Sequence, residues 1–563
     1  MSNDKWWRRS VVYQIYPQSF NDSNNDGFGD IKGIIDKLDY LSLLGIDIIW
    51  LNPLYKSPMV DNGYDISDYS SLNEIYGNMD DFKLLLKKAH EKNIKVIMDL
   101  VVNHTSDQHH WFIESKKSRN NQYADYYIWK DANEDGSLPN NWIASFGGPA
   151  WTYCESRNQY YLHLFAKEQP DLNWENAIVR REIYDMMTDW FELGIDGFRM
   201  DVISLISKNP EFPDAPKNFK ATKNYYFGAS NGPRVHEFLQ EMNKDVLSQY
   251  DIVTVGETPN TDSKQALMYT DPNRNELDMI FHFDHMHLDY GPFGKFSDVR
   301  FKLSDLRKTM SKWQYDLDKG WNSLYWSNHD QPRAVTRFGD EQKYRVESAK
   351  MLGTLLHMMK GTPYIFQGEE IGMKNVPFET VEQYKDIETI NTMNDMLSKG
   401  ASQEYVKKSA YLKSRDNART PMPWNGNSEK GYGFSEAMPW IDYSPDNKMI
   451  NVKDALQNSN SVFYHYQKLI ALRKEYDVVV YGKYKLLDKY DSDVYFYSRN
   501  TDDETLYVIC SFSSQKINYK ISDDLCIENA KLLLSNYPES NKILQQSIEL
   551  SPYEALIYYK NNN

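Results

Sequence analysis

Residues 79–104 read MDDFKLLLKKAHEKNIKVIMDLVVNH, and the change of rhythm inside this stretch decides the fold. From Met79 to Lys92 the apolar positions Phe82, Leu85, Leu86 and Ala89 recur three and four apart, the spacing of one helix face. From Lys95 to Val101 the pattern becomes a short apolar run, as in a strand buried on both faces. A helix that feeds such a strand is half of a βαβ unit. The alternation recurs along the chain, with a second clear helix pattern at Arg180–Leu193 (Ile183, Met186, Met187, Trp190). Candidate strands are Val11–Tyr16, Asp47–Leu51, Lys95–Val101, Gly197–Met200, Ile252–Val255, Met279–Phe283, Asn322–Trp326 and Tyr364–Phe366. Eight of them in this alternation predict an α/β fold, a (β/α)8 TIM barrel.

Two segments break the alternation. Residues 105–171 are rich in Asn, Asp, Gly and aromatics and too long for a simple loop, so they read as a small domain inserted after strand three. From Tyr484 the pattern is alternating strands (Val494–Tyr497, Leu506–Phe512, Ala555–Tyr559) without a long helix, which predicts a C-terminal antiparallel β domain, a β-sandwich. The expected organisation is barrel 1–104, inserted domain 105–171, barrel 172–483 and C-terminal domain 484–563.

Composition fits this size. With 563 residues, 41% apolar and 26% charged, the chain is globular and exceeds one core. A net charge of −16 repels a phosphate backbone, so nucleic acid is not an expected partner. Three cysteines (Cys154, Cys510, Cys526) make no disulfide framework, and no apolar leader or membrane-length window occurs, so a cytoplasmic protein without a membrane partner is expected. It is taken to be a monomer. Aromatics reach 14%, which suits stacking on sugars but fills cores more often.

Chemistry enters at the strand ends. Strand three runs out in Asp99-Leu-Val-Val-Asn103-His104, strand four in Gly197-Phe-Arg199-Met-Asp201, strand five in Val255-Gly-Glu257 and strand seven in Asn328-His329-Asp330. In a barrel these ends converge on the face that carries the active site. Taken singly, Asp201 could be a helix cap, His104 a buried hydrogen-bonded ring and Glu257 a loop charge; together they form a pocket of acids with one arginine. Glycoside hydrolysis uses such a pair, one carboxylate as nucleophile and one carboxylic acid to assist the leaving oxygen, and calls for no organic cofactor. His-Glu-x-x-His, Walker and Gly-x-Gly-x-x-Gly motifs are absent from the sequence.

These four regions resemble the signature regions of the α-amylase superfamily, glycoside hydrolase family 13. Gln169-Pro-Asp-Leu-Asn-Trp174 resembles a fifth, characteristic of its oligo-1,6-glucosidase and α-glucosidase branch, and the likeness runs from Trp7–Phe20 to Ser414–Trp424. It implies Asp201 as nucleophile, Glu257 as general acid/base and Asp330 as the carboxylate that holds sugar hydroxyls. His104 and His329 would bind hydroxyls, and Arg199 would orient Asp201 and keep it ionised. Asp61 and Tyr64 would close the pocket on the non-reducing end, with Tyr64 stacking on the sugar, Phe165 and Gln169 completing the wall, and either Arg415 or Arg419 pairing with Asp61. Val202 matches the branch's α-1,6 enzymes, where maltases carry Thr or Ala; Thr258-Pro-Asn departs from the branch's Met-Pro-Gly. The resemblance therefore implies a retaining, exo-acting α-glucosidase whose partner is a small oligosaccharide.

Asp22-Ser-Asn24-Asn-Asp26-Gly-Phe28-Gly-Asp30 spaces oxygen donors at alternate positions, as an EF-hand loop does, but lacks Glu at position twelve; a polar Asx turn is the plainer reading. Related enzymes hold Ca²⁺, or Mg²⁺, in such a loop with the Phe28 carbonyl as a ligand, so a structural ion is expected. Three rivals share the fold. A sucrose isomerase would carry Arg-Leu-Asp-Arg where His287-Leu-Asp289-Tyr290 stands. A trehalose-6-phosphate hydrolase would need a basic outer pocket. A catalytically dead binding subunit would lack one of Asp201, Glu257 and Asp330.

Overall fold

The computed structural model describes residues 5–217, 226–488 and 493–563. All eight expected strands form: β1 Val12–Ile15, β2 Ile48–Leu51, β3 Lys95–Leu100, β4 Gly197–Met200, β5 Val253–Glu257, β6 Met279–Phe281, β7 Ser323–Leu324 and β8 Thr362–Phe366. They are parallel neighbours in the order β6-β5-β4-β3-β2-β1-β8-β7. A parallel bridge from Ile280 to Asn322 closes the ring between β6 and β7. Strand β5 runs on to Glu257 itself, so the acid sits on the ladder and not after it. β7 is shorter than expected, ending at Leu324; the side chains of Tyr325 and Trp326 beyond it donate to the carbonyls of His282 and Leu352, each at 2.8 Å.

The outer helices follow the sequence logic. Met79–Glu91 buries Phe82, Leu85, Leu86 and Ala89, and starts at Asn78, whose side chain and that of Asp81 cap each other's backbone N–H. Ala177–Leu193 begins earlier than expected, capped by Asn176, and stops at Gly194, whose φ of 112° only glycine adopts freely.

The inserted segment holds a three-stranded antiparallel sheet with Gln159–Leu162 between Trp129–Lys130 and Trp151–Cys154. It is fastened to the barrel where the chain returns: His104 bridges Asp171, and the buried Lys208 ammonium reaches Asn103 Oδ1 at 2.8 Å and Asp171 at 2.7 Å. At the C-terminus, Lys483–Leu486, Val494–Asn500, Glu504–Ser511, Ala555–Asn561 and Lys531–Ser535 build an antiparallel sheet. Tyr495, Tyr497, Val508 and Ile557 pack into the barrel cluster. The alternating residues Phe496, Ile509 and Leu556 share a cluster with residues of the two-stranded antiparallel sheet Ile517–Lys520/Ser547–Leu550. Both faces are buried, as the strong apolar bias of these strands requires.

Candidate active site

Strand register assembles the site. Asp99 on β3 lies opposite Arg199 on β4, and Arg199 is opposite Val255 on β5, two residues before Glu257. The Arg199 guanidinium is therefore buried among three carboxylates. Its Nη1 meets Asp99 at 2.6 Å and Asp201 at 2.8 Å, and its Nη2 meets Glu257 at 2.7 Å. The indole of Trp50 lies beneath it at 5.0 Å and donates to the other oxygen of Asp99 at 3.0 Å. Two carboxyls on the two terminal nitrogens of one guanidinium stand beside each other, as the pair of a retaining enzyme must.

Burial raises Asp201 well above the usual carboxylate range, and the charges of Glu257 and Asp99 add to this, while Arg199 lowers it, the direction expected of its guanidinium. Burial also raises Glu257, moderated by Arg199 and by the Val202 N–H. One cation cannot offset three buried acids, so Asp201 and Glu257 hold on to a proton as a pair.

Around this centre stands a second ring of charge. Burial alone would raise Asp330, but the charges of Arg415 and Arg419, with the His329 ring beside it, hold it far below the usual range. Arg415 touches Asp330 at 3.0 Å, Asp61 at 3.2 Å and Asp386 at 2.6 Å, whereas Arg419 touches Asp330 at 3.1 Å and donates to the His329 carbonyl at 3.2 Å. Arg415 is thus the partner of Asp61. Gln169 donates to the other Asp61 oxygen at 3.2 Å, and burial lifts Asp61 to about 7 despite both arginines.

Both histidines are held neutral. Burial lowers His329 to about 3 and His104 to about 4. His329 Nδ1 accepts from Gln14 at 2.8 Å, which leaves its Nε2–H facing Asp330 at 3.4 Å. His104 donates to the Tyr64 carbonyl at 3.1 Å and accepts from Asn103 at 3.2 Å. The Tyr64 ring stacks on His329 with centroids 5.1 Å apart and planes 6° from parallel, so one of its faces is taken; its hydroxyl donates to Asp99 at 3.0 Å. Phe165 lies 5.0 Å from His104 and 5.8 Å from Phe146, which in turn underlies Arg415 at 4.9 Å.

Val202 adopts φ 37°, ψ 40°, a left-handed conformation that costs a β-branched residue on the order of 1–3 kcal/mol. Its side chain packs with Trp142, Leu164 and Leu205. Sequence reasoning did not foresee this turn, nor Asp386, Phe146, and the pair of Lys295 with Glu388 at 2.6 Å beside the Asp330 carbonyl. Asp99 was visible inside a motif but had no role assigned.

The Asp22–Asp30 loop is an array of Asx turns. Asp22 accepts from the N–H groups of Asn24, Asn25 and Gly27, Asp26 from Phe28, and Asp30 from Ser23 and Gly33. Its all-oxygen donor set matches a hard cation in kind. As the side chains stand they face backbone amides, and among the described residues no three His, Cys, Asp or Glu side chains gather as a metal site.

Comparison with known proteins follows the same lines. Residues 14–482 match the family model described as alpha amylase, catalytic domain. The oligo-1,6-glucosidase of Parageobacillus thermoglucosidasius is 55% identical over 559 residues, covering 98% of each chain. The crystal structure of the trehalose-6-phosphate hydrolase of Bacillus licheniformis in a mutant form superposes with a TM-score of 0.95 at 47% identity, over 99% of this chain and 100% of that one. The isomaltulose synthase of Protaminobacter rubrum does so with a TM-score of 0.95 at 41% identity, over the same shares.

Proposed function

The chain belongs to the α-amylase family of glycoside hydrolases, and on that premise we propose that it is a retaining, exo-acting α-glucosidase that hydrolyses non-reducing-end α-1,6 bonds of isomaltose and short isomalto-oligosaccharides. The observation that carries this reading is the sharing of Arg199 between Asp201 and Glu257. Asp201 attacks the anomeric carbon while the proton of the pair passes from Glu257 to the leaving oxygen; Glu257 then takes a proton from the water that frees the glucose. Asp330, kept ionised, and the neutral rings of His104 and His329 hold the sugar hydroxyls. The Asp61–Arg415 pair, with Gln169, walls off the inner end and makes a pocket that accepts one chain terminus.

Two observations favour this over its relatives on the same fold. Asp289, within the stretch where an isomerase would carry its arginines, is bound by Arg337 and Lys413 inside the protein. Lys295, the ammonium nearest Asp330, is already paired with Glu388, which leaves its charge poorly placed for a substrate phosphate. The reading also takes the protein to be a cytoplasmic monomer; no helix among the described residues is long and apolar enough to cross a membrane. It takes the Asp22–Asp30 loop to hold a divalent ion, Ca²⁺ or Mg²⁺, through Asp22, Asn24, Asp26, Asp30 and the Phe28 carbonyl, for stability only. Product analysis on isomaltose, maltose, sucrose, trehalose and trehalose-6-phosphate in parallel tests the substrate: glucose released fastest from isomaltose supports it, and isomaltulose from sucrose or preferential cleavage of the phosphorylated sugar replaces it.

A further inference from the structure

We propose that Val202 is a positioning residue that acts through its main chain, its left-handed turn aiming the backbone N–H at Glu257 to fix the carboxyl in the plane in which it meets the leaving oxygen. This rests on Glu257 being the general acid/base. The turn is costly for the residue that makes it: of the thirteen described non-glycine residues with positive φ, eight are Asn, and Val202 is the one β-branched member. A β-branched residue persists there when something holds it, and two things do. Its side chain is buried in the apolar cluster that also holds Trp142, Leu164 and Leu205, and its carbonyl accepts from Leu205 N at 2.8 Å, which starts the turn Ile203–Leu205.

The gain is at Glu257. Arg199 takes Oε1 at 2.7 Å and Val202 N–H takes Oε2 at 3.0 Å, so each oxygen is tied to a different element and the carboxyl cannot swing about its bond. Asp201 has its hold on Oδ1, from Arg199, and needs its other oxygen for attack. Asp201 N still pairs with Leu100 O at 2.9 Å, so the chain bends sharply between the nucleophile and the residue that steadies the acid. One turn therefore sets both reacting groups relative to each other.

Replacing Val202 by its α-hydroxy acid, an amide-to-ester change made by nonsense suppression in the full chain, removes this one donor and leaves the side chain. Cleavage of isomaltose, which needs protonation of the leaving oxygen, should fall roughly 10-fold, as for loss of one hydrogen bond to a charged acceptor. p-Nitrophenyl α-glucoside, whose leaving group needs no proton, should change less than about 2-fold in kcat. The alkaline limb of kcat/KM should move up by about one pH unit, because the lost N–H had favoured ionised Glu257. Val202→Gly, which keeps the N–H and suits the left-handed backbone, should leave the alkaline limb in place, whatever the lost side chain does to substrate preference. Equal losses on both substrates with an unmoved limb in the ester variant overturn the proposal. Glu257→Gln in the same panel separates the causes: if it too leaves the ratio untouched, the assignment of Glu257 as the acid has failed; if it shifts the ratio and the ester does not, Val202 alone is misread.

Discussion

Asp61 and Arg415, 354 positions apart in the chain, meet at 3.2 Å on the pocket wall. The same guanidinium serves Asp330 and Asp386, so a single side chain links the residue that closes the pocket to one placed to hold the sugar. A lysine is a point charge without the planar fork and cannot serve three carboxylates at once. Arg415→Lys should therefore raise KM for isomaltose about 10- to 100-fold, the equivalent of about 1.5–3 kcal/mol, with a smaller change in kcat. Arg419→Lys, which leaves the Asp61 contact intact, should do less. Steady-state kinetics on both variants decide it, and an unchanged KM in Arg415→Lys removes this pair from sugar binding.

The Arg199 bridge makes a stereochemical commitment. Carboxyls about 5 Å apart leave no room for an inverting water, so α-glucose should be released first and mutarotate afterwards. Asp201→Asn should abolish turnover while the melting temperature stays close to that of the parent, since the amide is nearly isosteric. An NMR time course in which β-glucose appears first contradicts the assignment, as does near-normal activity of Asp201→Asn.

The strands were legible because a parallel strand buried on both faces is mostly apolar; β2 and β6 read as such runs, and β1, β3, β4, β5 and β8 carry only one or two polar residues among apolar ones. β7 misled because Tyr325 and Trp326 are residue types common in strands, yet both lie beyond the ladder, which ends at Leu324. Arg199 and Glu257 could be placed because they sit on barrel strands, and Asp201 and Asp330 because they follow them, where the fold alone brings ends together. Asp386 and Phe146 come from segments with no barrel rhythm and leave no local signal. The conformation of Val202 was hidden for a physical reason, since a β-branched residue is among the last to expect at positive φ. Which arginine meets Asp61 was undecidable because Arg415 and Arg419 flank one short helix, Asp416–Arg419, and only tertiary packing sorts them.

Glu369 gives a pH dependence away from the chemistry. It is buried behind Ser327, which donates to it at 2.8 Å, and beside Tyr466, which donates at 3.0 Å, and burial lifts it to about 7 from 4.5. Between those two values the folded state binds the proton more tightly than the unfolded one. Stability from this group is therefore fully present below about pH 4.5 and lost as pH rises through 7, by on the order of 3 kcal/mol. Glu369→Gln should lose less stability than the parent between pH 5 and pH 8 in urea titrations. Parallel curves for the two proteins would show that Glu369 does not titrate in this window.

Ion removal tests the loop Asp22–Asp30. Its backbone is tied to the neighbouring segment by Asp22 N to Phe434 O at 3.1 Å and by Trp440 N to Gly27 O at 3.1 Å. A bound ion would thus stabilise that packing and not the Asp201–Glu257 centre. By mass action a site filled at 100 times its Kd adds about 2.7 kcal/mol. EDTA should lower the melting temperature by a few degrees and leave turnover at low temperature intact. An unchanged melting temperature across added Ca²⁺ and EDTA would mean the Asx turns suffice; immediate loss of activity would place an ion at the catalytic centre.

Linkage preference should answer to the Val202 side chain. It is buried in the cluster that holds Leu164 and Leu205, next to the residue assigned as nucleophile, on the chain that feeds the Glu257 contact. An α-1,6 substrate presents a flexible methylene beside the scissile oxygen, whereas an α-1,4 substrate presents a secondary carbon and a nearby hydroxyl. An apolar branched wall tolerates the methylene; a hydroxyl of the same shape can hydrogen-bond the maltose aglycone. Val202→Thr retains the N–H to Glu257, so any effect belongs to the side chain alone. We expect the parent to favour isomaltose over maltose in kcat/KM, and Val202→Thr to shrink or reverse that ratio by roughly 10-fold, within the 1–3 kcal/mol that one such change in a pocket provides. If the parent prefers maltose, the substrate assignment reverts to a general α-glucosidase; if the ratio is the same in both proteins, linkage is chosen elsewhere in the pocket and Val202 keeps only its main-chain role.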